Sequence, residues 1–108
     1  MKYAQLGEFE EQVMLMIGIL GEEAYGVMIK EEMKEQLGKR PSIGALHTTL
    51  KRLEQQGFIS SYQGGATQVR GGRRKRFYQL TMTGKAALKA TNDVRKNLYN
   101  QIPGLAWE

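Results

Sequence analysis

The spacing of Ile43, Leu46, Leu50 and Leu53 constrains this chain more than any other feature. At about 100° per residue the four positions fall on one stripe, so the spacing predicts a helix with one face committed to a core. The opposite face carries Ala45, Thr48, Lys51 and Arg52. Such small, hydroxyl-bearing or cationic side chains suit a helix lying in a DNA major groove better than one that only meets water. Gly57 closes the helix, and residues 58–62 and 75–80 then read as two strands around a glycine-rich loop over 63–72. A helix followed at once by a basic hairpin outlines a winged helix-turn-helix. The expected fold class is therefore mainly α with a small β-hairpin (α+β).

Charge points the same way. The first 35 residues hold three lysines against eight glutamates, a net of −5, whereas the rest holds thirteen cations against three acids, a net of +10. An anionic partner is implied for the second part only. With 108 residues and no cysteine, one core, no disulfide and no thiolate metal site are expected. The N-terminal stretch carries acids early and lacks a signal-type apolar core, and the most apolar run, 13–20, is too short to span a bilayer. A cytoplasmic protein without membrane contact is the expectation.

Before the stripe, Phe9, Val13, Met16, Ile17 and Leu20 keep helical spacing, while Met14, Leu15 and Ile19 fill the other side. A helix apolar nearly all round either sits centrally or offers a second face to another subunit. Gly21 is placed to end it. A second helix is predicted over 24–37, with Tyr25, Met28, Ile29, Met33 and Leu37 inward and Gly38 as its left-handed terminus. Pro41 forces Arg40 to be extended, and Ser42 is the N-cap of the third helix. After the hairpin, Tyr78 and Leu80 should pack inward and Phe77 outward. Thr81 or Thr83 caps a fourth helix, whose stripe of Ala87, Thr91, Val94, Leu98 and Ile102 outruns so small a core. It reads as a dimerisation helix, or else as one folded back over its own core, ended by Pro103 and Gly104 and followed by the apolar tail 105–107. The expected division is a winged helix-turn-helix DNA-binding domain over 1–81 and a dimerisation helix with tail over 82–108.

Several motifs coincide with a known family. Gly7-Glu8, Tyr25-Gly26 with Ile29, the run from Ser42 to Glu54 with Gly57, and the run from Gly72 to Thr81 with Gly84 resemble the PadR family of transcriptional regulators. Together they cover most of residues 7–88. The resemblance implies a homodimeric winged-helix repressor of a palindromic operator, able to be released by a small molecule, with the first and last helices forming the dimer. His47 departs from the family pattern, which usually has tyrosine there, and no family motif extends past about residue 88.

Base contacts are expected from Ser42, Gly44, Ala45 and Thr48, with Lys51 and Arg52 reaching phosphates or a guanine. The wing would add Arg70, Arg73, Arg74 and Lys75, beside Arg76, against phosphates or a narrow minor groove. His47 reads first as a boundary residue half packed on the core and second as a DNA contact. A metal role is disfavoured because no other histidine or cysteine exists to complete a site. Met14, Leu15, Val94, Leu98 and Trp107 would meet between subunits, where they line a cleft for a flat apolar effector or simply close the interface. No cofactor is expected. An enzyme is disfavoured by the lack of any carboxylate pair, phosphate loop or nucleophile elbow in a supporting context. The remaining alternative is a winged helix that binds a protein partner and has lost DNA recognition.

Overall fold

A computed structural model describes residues 6–64 and 75–105. In chain order they form α1 (Glu8–Leu20), a 3-10 turn (Gly21–Glu23), α2 (Gly26–Leu37), α3 (Ile43–Gln55), β1 (Ile59–Gly64), β2 (Lys75–Leu80) and α4 (Met82–Asn100). The expected class, helices plus one antiparallel hairpin, is the one observed.

Local chemistry sets the ends of the helices. Glu10 reaches back to accept from the Gly7 N–H at 2.9 Å and so caps α1. Gly21 (φ 60°) and Gly38 (φ 67°) end α1 and α2 in backbone conformations that other residues adopt at a cost. The Ser42 hydroxyl accepts from the Ala45 N–H at 3.0 Å, and that of Thr81 from the Gly84 N–H at 2.9 Å. Each cap satisfies an N–H with no partner inside its helix.

α1 is the centre on which α2, α3, α4 and β2 all pack. Val13, Met14, Met16 and Ile17 are buried there with Ile29 and Met33 of α2, Leu46, Leu50 and Leu53 of α3, and Ile59 and Tyr78 of the hairpin. Each leucine so buried contributes roughly 1.5–3 kcal/mol. Three expectations need correcting. Ile43 is turned out, and Thr49 takes its place on the buried face, because the first turn of α3 lies past the edge of the core. Leu37, at the last turn of α2, is likewise exposed. Met14 is 0% exposed, so it belongs to the subunit's own core and cannot line a cleft between subunits.

The hairpin pairs Ile59 with Leu80 through to Gly64 with Lys75. Its outer edge is covered by residues expected to be helical: Ala24 is non-helical and Tyr25 extended, and the Tyr78 N–H donates to the Ala24 carbonyl at 2.8 Å. The start of α2 is thereby fastened to β2. Burial holds the Tyr78 hydroxyl above its ordinary pKa, with Arg76 pulling it down and Glu54 pushing it up.

α4 starts inside the core and leaves it. Gly84 and Ala87 are buried, Val94 is half-buried, and Leu98, Ile102 and Leu105 are exposed. Midway, Arg95 holds the buried carboxylate of Glu11 in a two-point ion pair at 2.7 and 3.1 Å. Its guanidinium pKa is raised by that hydrogen bond and by the carboxylate's charge. The molecule measures 60 × 30 × 23 Å.

Gly84 has no room for a side chain, because a Cβ there would collide with the Phe58 carbonyl oxygen. Gly84→Ala is expected to cost at least about 2 kcal/mol in urea denaturation, since a backbone atom cannot swing aside.

Candidate nucleic-acid interface

Burying Leu46, Thr49, Leu50 and Leu53 determines which side of α3 faces outward. Gly44, Thr48 and Lys51 lie directly opposite and are all exposed. Nothing stands within 4 Å of a Cβ built on Gly44, so a partner can approach the backbone there. Ser42 and Ala45 are also exposed at the helix start, with the Ser42 oxygen engaged as the cap.

The two flanks of this face differ. On one, Arg52 leans onto Glu10 of α1, Nη1 to Oε2 3.3 Å, with about half of its side chain exposed. The contact is long and the guanidinium half open to water, so it can turn to a stronger anion although Glu10 itself is largely buried. The three-residue spacing of Glu10 from Gly7 signals its capping role, but nothing local signals Arg52 as its second partner. On the other flank, Ile43 and His47 face β2 across a cleft of about 440 Å³ that Tyr25, Val27, Lys75 and Arg76 also line. His47 is exposed rather than half packed.

The stem of the hairpin is held by rings. Phe77 stacks on Tyr62 at 5.7 Å and meets the edge of Tyr25 at 5.3 Å, and the Lys75 ammonium sits 4.5 Å from the centre of the Tyr25 ring. Gly64 is required where it stands because Phe77 covers it, and a Cβ would run into that ring. A second tie runs from Arg76 Nη1 to Ser61 Oγ at 2.8 Å and on to Glu54 Oε2 at 2.7 Å, joining both strands to the end of α3. Helix and hairpin stem therefore present one fixed surface. Of the predicted wing cations, Lys75 stands on it, while Arg70, Arg73 and Arg74 lie outside the described residues.

The second predicted group is only partly assembled. Leu15 is exposed between two clefts of about 430 and 440 Å³ that flank the Glu11–Arg95 pair, but neither is lined by Val94 or Leu98. Trp107 lies outside the described residues. Among the described residues no group of histidine, cysteine or carboxylate side chains could hold a metal ion, and no helix is long and apolar enough to cross a membrane.

Residues 16–90 match the description of the PadR-like family of transcriptional regulators. The chain belongs to that family. This PadR-like chain is 34% identical over 82 residues to the transcriptional regulator Rv3488 of Mycobacterium tuberculosis, which spans 76% of the chain and 72% of that relative. Its fold is similar to that of a PadR-like transcription factor from Bacteroides fragilis, with a TM-score of 0.76 at 26% identity over 91% of this chain and 89% of that one. A PadR family regulator from Clostridium difficile gives 0.66 at 29% identity over 86% and 96%. The family is one of regulators, not enzymes.

If the ring stack fixes the hairpin of this PadR-like protein, Phe77→Ala should lower stability by about 2 kcal/mol in urea denaturation, from lost apolar area and two lost ring pairings.

Proposed function

We propose that this PadR-like regulator binds duplex DNA as a homodimer, placing α3 of each subunit in successive major grooves of a palindromic operator and acting as a repressor. The observation that carries the reading is the outward face of Gly44, Thr48 and Lys51, open to the backbone at its start and set beside the fixed hairpin stem with Lys75. In such a dimer the two faces would sit about one helical turn of DNA apart, roughly 34 Å. Each lysine or arginine that neutralises a phosphate adds about 0.9 to the log–log salt slope, so Lys75→Ala should flatten it by that amount.

The dimer reading draws support from exposed apolar side chains, Leu98 on α4 and Ile102 just past its end, together with Leu15 and Ile19 on α1. It divides the chain into a DNA-binding unit over 1–81 and a dimerisation helix with tail over 82–108, the helix rooted in the core by Gly84 and Ala87. A small apolar or aromatic effector would act where α1 and α4 of two subunits meet, beside Leu15, Val94 and Leu98. Trp107, the single tryptophan, supplies the fluorescence readout for such a molecule.

Two outcomes test this function. Gly44→Ala should leave the fold about 0.5 kcal/mol more stable, as expected for alanine in an open helical position. It should nevertheless weaken binding to a duplex selected from a random pool, and undiminished binding would move the contact face elsewhere. Leu98→Asp combined with Ile102→Asp should turn the dimer into a monomer in sedimentation equilibrium and lower operator affinity with it. A dimer that survives both charges would contradict the assignment of α4.

A further inference from the structure

Ile43 lies three residues before Leu46, a spacing that should bury it, yet it is 47% exposed. Across the cleft mouth Val27, in the first turn of α2, is 60% exposed. Isolated aliphatic side chains on a surface need no explanation, but these two line the same cleft, together with Tyr25, Tyr78, His47, Lys75 and Arg76. Two branched aliphatic groups beside two cations make a surface that is apolar and cationic at once.

The cations fit the phosphates of a duplex, and the floor of its major groove carries one apolar group, the 5-methyl of thymine. We infer that Ile43, supported by Val27, reads a thymine methyl in each half-site. This rests on the DNA-binding reading above and deepens it. Gly44 and Thr48, on the adjacent face, are left to hydrogen-bonding edges and backbone approach, so the two kinds of recognition are divided between neighbouring sides of one helix. Ile43 is suited to the task because it starts α3: its side chain is held by the helix but is not consumed by the core. The second aliphatic wall comes from α2, whose start is itself pinned to β2 through Ala24, so the gap between Val27 and Ile43 is set by the fold.

The test uses the duplex that the purified protein selects from a random pool, synthesised with thymine and again with 2′-deoxyuridine replacing each thymine in turn. Uracil keeps every hydrogen-bonding group and lacks only the methyl. At one thymine position in each half-site the replacement is expected to weaken binding about fourfold, the value of one buried methyl group. Ile43→Ala should bind the thymine and uracil duplexes alike, while Ile43→Val retains part of the preference. The pairwise term of that cycle isolates the contact from any general loss of affinity.

Wild-type protein indifferent to uracil at every position would overturn the inference while leaving DNA binding intact. So would an Ile43→Ala protein that keeps the full preference. Failure to select any duplex would instead remove the DNA-binding reading itself. Binding of a protein partner at this cleft, abolished by Ile43→Ala with no methyl dependence on DNA, would assign the surface to that partner.

Discussion

The packing of Leu46, Leu50 and Leu53 against α1 is the constraint from which the rest follows. A helix offers several faces, and burying one decides which of the others meets a partner. These three leucines are almost wholly enclosed, so α3 cannot roll without exposing apolar surface at a cost of several kcal/mol. Gly44, Thr48 and Lys51 are therefore held in one direction with no direct restraint on their own side chains. The same central helix carries the buried Glu11, whose pairing with Arg95 fixes where α4 departs. Recognition face and proposed dimer helix are thus referred to a common part, which a twofold-symmetric reader of DNA requires.

The hairpin is coupled to that frame by two interactions of different kinds. Tyr25, Phe77 and Tyr62 make an apolar, shape-dependent joint, whereas Arg76, Ser61 and Glu54 make a directional one. The stem, Lys75 included, is thereby registered to α3.

Local features were legible in the sequence because they depend on nearest neighbours. Gly21, Gly38, Ser42 and Thr81 act as the termini that their residue types and positions predicted. The leucine stripe was readable from its period alone. Ile43 fits the same period, but periodicity does not say where the core ends, and α3 begins beyond that edge. Met14 and Leu15 illustrate a different limit: on a helix apolar nearly all round, no polar face orients the wheel, so which of two neighbours turns inward is decided by the elements that pack on it. The helical expectation for Ala24 and Tyr25 fails because their non-helical backbone answers to Phe77 and Tyr78 of β2, a partner far along the chain. Arg52 could be placed on an outer flank from its spacing, but its contact with Glu10 joins two helices and leaves no local trace.

The central claim, that the fold turns Gly44, Thr48 and Lys51 toward DNA, can be tested directly because the chain contains no cysteine. Thr48→Cys places a single thiol in the middle of that face, and Gln36→Cys places one at the exposed end of α2 as a reference. The rate of maleimide labelling would be measured with and without the selected duplex. Strong protection of position 48 with position 36 unaffected is the predicted result. Equal labelling of position 48 in the free and bound states would contradict it.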